Sequence, residues 1–115
     1  MITRDGRTDI KDYIVGNYTR YQVGTGGDST NPNASSLDSP LLTKTSTGLV
    51  VTSSDESTIE WKFTLQGSAY IGETIKEVGI FHTTTDEMLL RVNYDGIGPL
   101  TSTDEIEFVI VVEVD

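Results

Sequence analysis

"STIEWKFTLQ", residues 57–66, alternates apolar and polar side chains along its whole length. In an extended chain the large apolar side chains share one face: Ile59, Trp61, Phe63 and Leu65. The threonines and charged residues between them share the other face. This period of two is typical of an antiparallel strand that packs one face on a core and leaves the other in water. The segment therefore predicts a sheet with one solvated face.

The rest of the chain adds further strand-like segments and one helix. Strands are predicted within residues 18–23, 41–45, 48–54, 75–81, 88–92 and 104–114. A short helix is predicted over residues 4–15, with Thr3 or Thr8 as its N-cap and Gly16 at its end. Residues 24–40, rich in Gly, Asn, Ser and Pro, predict a long loop. At 115 residues we expect one domain, 1–115, that is mainly β: an antiparallel β-sandwich, jelly-roll-like, with one short N-terminal helix.

Residues 72–92, "GETIKEVGIFHTTTDEMLLRV", predict a β-hairpin with its loop at residues 83–87. The expected register pairs Gly79 with Arg91 and Phe81 with Leu89. Glutamate and glycine are both disfavoured inside strands, so Glu77 and Gly79 need an explanation. One hypothesis is that Gly79 leaves space for Arg91 to reach the Glu77 carboxylate. The other is a β-bulge or the close approach of another backbone at Gly79.

The alternating patterns predict a shared core and leave four apolar residues outside it. The expected core is Ile59, Trp61, Phe63, Val78, Ile80, Leu90, Val92, Phe108, Ile110 and Val112. Phe81 and Leu89 fall on the reverse face of the hairpin, and Val109 and Val111 on the reverse face of the last strand. One short helix covers at most one of these patches. We therefore take these four residues as candidate interface residues.

Composition and charge restrict the partners. The chain carries 18 acidic and 8 basic residues, a formal net charge of -10, which repels nucleic acid and anionic lipid. Its acidic surface is also compatible with a high-salt habitat. It has no cysteine, no apolar run of membrane-spanning length and no signal-peptide pattern at its N-terminus. We expect no membrane and no nucleic acid as partners.

Few residues suggest catalysis. His82, the single histidine, falls at the hairpin end and is interpreted as a strand residue with a solvated ring; one histidine without cysteine cannot form the usual zinc site. Acidic pairs at 55–56, 86–87 and 104–105 fall in predicted turns, where weak calcium binding stays open. "GTGGD", residues 24–28, lacks the lysine and the helix of a phosphate-binding loop. We expect a non-enzyme with no cofactor, no metal and no small-molecule ligand.

Several of these segments together resemble a known class of protein. They are the N-terminal helix, an aromatic strand running into Gly24-Thr25-Gly26, a loop with Leu37 and Asp38, the strand at 57–66, and Ile75-x-Glu77-Val78-Gly79-Ile80-Phe81 before a strand ending near Arg91. The chain resembles small virion structural proteins of tailed viruses, in particular tail-fibre, tail-collar and baseplate-associated β-sandwich domains with their "E-[VI]-G-[LI]-F" strand. The likeness spans most of the chain. It departs at "HTTTDE", residues 82–87, where that family often has an acidic-glycine turn.

The resemblance implies a virion location and assembly, as a homo-oligomer and with other virion proteins of a bacteriophage or archaeal virus. A capsid decoration or turret protein is an alternative with the same sandwich and acidic surface. A carbohydrate-binding β-sandwich module is a further alternative. Trp61 argues against that module because it lies on the apolar face, but the tyrosines remain available as stacking groups: Tyr13, Tyr18, Tyr21, Tyr70 and Tyr94.

Overall fold

The computed structural model describes residues 1–27 and 32–115. Its main helix is α1 (Arg4–Asn17), and Gly67–Ala69 form one turn of 3₁₀-helix. The strands are β1 (Arg20–Gly24), β2 (Pro40–Thr45), β3 (Val50–Ser53), β4 (Thr58–Gln66), β5 (Ile75–Phe81), β6 (Met88–Ile97) and β7 (Glu105–Glu113). The prediction of a mainly β chain with an N-terminal helix is confirmed. Gly24 and Pro40 belong to strands, so the predicted loop is shorter at both ends, and its residues 28–31 lie outside the described residues.

Helix α1 begins where the sequence predicts and ends later. The Thr3 hydroxyl accepts a hydrogen bond from the Gly6 backbone N–H at 3.2 Å, which makes Thr3 the N-cap. The expected end at Gly16 is wrong, because the helix continues through Asn17 and the Tyr18 N–H donates to the Ile14 carbonyl. No helical residue is fully buried; Ile14 and Val15 pack half-buried at the edge of the core.

The strands form two antiparallel sheets. One has the order β2-β1-β5-β6 and the other the order β3-β4-β7. Both sheets turn apolar side chains towards one cluster, and across it the Tyr21 ring stacks on the Phe63 ring at 3.8 Å between centroids. The core prediction is confirmed for most of its residues. Seven of its ten residues are fully buried, while Leu90, Val92 and Val112 pack against them half-buried.

The β5–β6 hairpin follows the predicted register except at its loop end. Gly79 pairs with Arg91 and Ile80 with Leu90, as expected. Phe81 pairs with Met88 instead of Leu89, with an irregularity in the register after Ile80. The predicted Phe81–Leu89 pair is therefore wrong, because Leu89 is an extra residue in β6 that the pairing passes over.

Candidate functional site

Glu77 anchors the loop between β1 and β2 onto β5. Its side chain is fully buried and accepts three backbone hydrogen bonds. Oε2 accepts from Gly26 N–H and Ser39 N–H, both at 2.8 Å, and Oε1 accepts from Asp38 N–H at 2.9 Å. These donors replace the water that a buried carboxylate loses. These hydrogen bonds explain why a glutamate stands in this strand. Its carboxylate accepts from loop N–H groups that precede residues 28–31 in the sequence and from others that follow them.

Arg91 supports the same loop from the neighbouring strand. Its guanidinium lies 3.3 Å from the Asp38 carboxylate and 3.4 Å from the Ser36 carbonyl. The predicted Glu77–Arg91 ion pair is absent from the ion pairs of the described residues, and that hypothesis is wrong. The physical reason is that loop backbone N–H groups occupy the Glu77 carboxylate, while Asp38 offers Arg91 an acidic partner.

Gly79 makes room for a ring and a methyl group rather than for a guanidinium. A Cβ placed there would lie 2.8 and 3.0 Å from Phe81 ring atoms and 3.1 Å from Leu37 Cδ2. The irregularities in the β5–β6 pairing lie elsewhere, and the nearest atoms at Gly79 belong to side chains, so the hypothesis of a bulge or a closely approaching backbone is also wrong. Leu37 is 3% exposed and precedes Asp38, which contacts both Glu77 and Arg91. Glu77, Gly79 and Arg91 thus form one structural motif, the loop anchor.

Phe81 is not available as an interface residue. Its exposed fraction is 0%, because Leu37 lies beside it and Lys44 Nζ sits 4.7 Å from its ring centroid. The cover comes from the β1–β2 loop and β2, not from the helix. Leu89 is half-buried against the core. The expectation of an exposed Phe81–Leu89 pair on the hairpin's reverse face is therefore wrong.

Val109 and Val111 remain exposed. Their exposed fractions are 47% and 58%, and α1 packs on β3 and β4 rather than over them. Val50, which the sequence analysis missed, is 54% exposed and pairs with Lys62, which in turn pairs with Val109. The alternation of side chains along β3 indicates that Val50 points outward, because its neighbours Leu49 and Val51 pack on the core. We define the valine face as Val50, Glu60, Lys62, Val109 and Val111 on the outer side of the three-stranded sheet.

The valine face carries more negative than positive charge. Glu60 lies directly opposite Val111 in the sheet, and Lys62 lies between two valines. Along β7 the same side of the strand also holds Glu105, Glu107 and Glu113, all exposed. Valines on the two edge strands therefore flank a charged central strand, and the exposed glutamates along β7 favour a basic partner.

The other residues considered for chemistry have structural contacts. His82 follows β5, and its Nδ1 accepts hydrogen bonds from the Thr84 and Thr85 N–H groups at 3.1 and 3.2 Å, which stabilise the hairpin loop. Its ring also packs edge-on against Tyr18, with centroids 5.2 Å apart. The described residues contain no cluster of three or more potential metal-ligating histidines or carboxylates.

The aromatic residues mostly face inward. Trp61 is fully buried and its Nε1 donates to the Tyr18 carbonyl at 2.9 Å. Burial raises the pKa of Tyr21 and of Tyr94 above the ordinary tyrosine value. Tyr13 is the one tyrosine of the five that is largely exposed, with an exposed fraction of 57% for the residue. A sugar-stacking platform of several exposed aromatic rings is not formed by the described residues.

No known family model matches the chain, and a comparison with curated proteins found no match. Within residues 1–27 and 32–115, no helix has the length and apolar character needed to cross a membrane.

Proposed function

We propose that the chain is a non-enzymatic structural protein of a tailed-virus particle, at the tail, the baseplate or a fibre attachment. In this role it is a β-sandwich, jelly-roll-like, that assembles with copies of itself and with other virion proteins. The observation that carries the proposal is the valine face, where Val50, Val109 and Val111 are each about half exposed or more on a sheet with an open edge.

The shared core supports the sandwich. Apolar side chains of both sheets meet in one cluster, as in packed antiparallel sheets whose outer faces are solvated. The burial pattern of β4 supports this arrangement, with Trp61 and Phe63 inside and Lys62 outside.

The loop anchor supports a scaffold role. The residues that carry the resemblance, Glu77, Gly79 and Phe81, are all buried and hold a loop in place. Their chemistry is structural: a carboxylate satisfies backbone donors, and a glycine makes room for packing. A motif of this kind specifies a rigid module, which suits a part that is built into a larger assembly.

The experiment that tests the proposal is quantitative mass spectrometry of particles purified from a culture that expresses the chain. We expect the chain to co-purify with the particles in a fixed ratio to their other structural proteins. Immunogold labelling then separates a tail or baseplate position from a capsid decoration or turret. A chain that stays in the lysate and is absent from the particles would refute the proposal.

A further inference from the structure

The edge strands of the two sheets differ in their capacity to accept another strand. β2 begins at Pro40 and holds Leu42 at a φ of 56°, β3 has four residues, and β6 contains two register irregularities and Gly96 at a φ of 133°. Such features prevent edge-to-edge pairing. β7 has none of them, since it pairs with β4 at every position from Glu105 to Glu113 without a shift. Among the described edges, β7 is the long and regular one.

The backbone of β7 directs alternate residues towards its open edge. Hydrogen bonds from Gly67 N–H to Asp104 C=O and from Val114 N–H to Ser57 C=O, both 2.7 Å, continue the β4–β7 register at its two ends. In an antiparallel ladder, hydrogen-bonded pairs alternate with non-hydrogen-bonded pairs. The even-numbered residues of β7 therefore bond to β4. The odd-numbered residues, Val109 and Val111 among them, direct N–H and C=O groups outward.

We propose that the open edge of β7 binds a basic segment of a different protein chain as an added antiparallel strand. This inference rests on the proposed structural function and names the partner of the β7 edge. The residues with outward backbone groups are also those whose side chains lie on the valine face or its acidic rim. One added strand therefore satisfies the free backbone groups, contacts Val109 and Val111, and places its own side chains opposite the glutamates.

A second copy of this chain is a poor partner for the same edge. If Val109 faces Val109 of the second copy, Glu105 of each copy lies opposite Glu113 of the other. A shift by one residue pair in one direction sets Glu107 against Glu113, and a shift in the other direction sets Glu105 and Glu107 against valines. Like charges directly opposite each other destabilise a sheet, and the net charge of -10 per chain adds to the repulsion.

The side chains of β7 specify the pattern of the added strand. Ile106 and Val112 are half-buried on the inner face, so apolar side chains opposite them would extend the core. Lysine or arginine fits opposite Glu105, Glu107 and Glu113. β-Branched residues fit opposite the two valines, because they pack well on a pleated surface.

The test uses a synthetic nine-residue peptide with this pattern. Lysines stand opposite Glu105, Glu107 and Glu113, threonines opposite Val109 and Val111, and valines or isoleucines at the four inner positions. The matched control peptide has glutamate at the three lysine positions. By isothermal titration with the full chain, we expect the lysine peptide to bind about tenfold more tightly or better. Hydrogen exchange by NMR should show new protection at the Val109 and Val111 amides.

Two variants and one control variant separate charge from backbone pairing. The double variant Glu107→Lys, Glu113→Lys should reverse the preference between the two peptides. Val109→Pro removes an outward N–H without removing a hydrogen bond to β4. This variant should therefore keep the circular-dichroism spectrum of the unchanged chain and bind the lysine peptide about tenfold more weakly or worse. The control variant Val109→Thr should retain binding.

The inference would be overturned if the lysine peptide did not bind, or if both peptides bound equally well. It would also be overturned if the folded Val109→Pro variant bound the lysine peptide as tightly as the unchanged protein does. Protection of the β7 amides by self-association, without peptide, would overturn it as well. A charge-reversed chain that keeps its preference for the lysine peptide would also overturn the inference, because the proposed partner is basic. The chain could still be found in particles after any of these results, so they do not decide the proposed function.

Discussion

At the scale of single residues, Glu77 shows how a side chain disfavoured in a strand becomes necessary to it. Its two oxygens accept three loop N–H groups in a site from which water is excluded. Gly79, two residues later on the same face, leaves the space that the Phe81 ring and Leu37 fill. The two disfavoured residues therefore have one common cause, the loop that packs across β5.

The first prediction concerns the Glu77 carboxylate. Glu77→Gln should lower the free energy of unfolding by about 1 to 3 kcal/mol, because either amide orientation sets an NH₂ group against at least one backbone N–H donor. Urea denaturation measures the loss, and hydrogen exchange should show faster exchange at Gly26, Asp38 and Ser39. Glu107→Gln, at an exposed position, is the matched control and should change stability little. Equal stability of the two variants would contradict the anchor.

The second prediction concerns the space at Gly79. Gly79→Ala should destabilise the chain by about 1 to 3 kcal/mol, because the new methyl group would crowd the Phe81 ring and Leu37. Thermal and urea denaturation measure the effect. Gly16→Ala is the control, since a Cβ there meets open space within helix α1 and should stabilise by about 0.5 to 1 kcal/mol. A tolerated alanine at position 79 would show that the packing over the strand is loose.

At the scale of elements, alternation predicts strands well and loop contacts poorly. The period of two in β4 and β7 is imposed by one buried face, so both strands and their core residues follow from the sequence. The hairpin register follows as far as Ile80 for the same reason. Leu37, in contrast, lies in a segment without periodicity, and the partners of Glu77 are backbone groups that no side-chain pattern indicates. The burial of Phe81 and the pairing of Arg91 with Asp38 could not be predicted for that reason.

The third prediction concerns the contact between the two sheets. The Phe63 ring lies between Tyr21 at 3.8 Å and Phe108 at 5.2 Å, measured between ring centroids. Phe63→Ala should cost about 3 to 5 kcal/mol of unfolding free energy, because it leaves a cavity in the shared core. Val109→Ala, on the exposed face, should cost less than about 1 kcal/mol in the same denaturation experiment. Similar losses for both variants would contradict the assignment of inner and outer faces.

The fourth prediction concerns the turn before β4. The backbone N–H of Ser57, with further hydrogen bonds from Thr58, holds the pKa of the Asp55 carboxyl below its ordinary value of 3.8. Because the folded pKa is lowered, the contribution of Asp55 to stability is present above the ordinary value and is lost as pH falls through the folded pKa. An NMR titration of the side-chain carboxyl should give a midpoint below 3.8. A midpoint at or above that value would show that the turn hydrogen bonds do not persist in solution.

At the scale of the whole molecule, the two sheets have different outer faces. The four-stranded sheet is covered on its outer side by the anchored loop, so Phe81 and Glu77 are buried within the chain. The three-stranded sheet leaves its valine face and the edge of β7 uncovered among the described residues. This asymmetry is the physical basis for expecting assembly through one side of the molecule.

Lysine footprinting of assembled particles tests assembly through this face most directly. Lys62 is exposed on the valine face between Val50 and Val109, and Lys76, half-buried on the other sheet, is the internal control. Acetylation of the free chain and of purified particles, followed by mass spectrometry, should show that Lys62 loses most of its reactivity in the particle while Lys76 keeps its own. Equal reactivity of Lys62 in the free chain and in the particle would contradict assembly through the valine face.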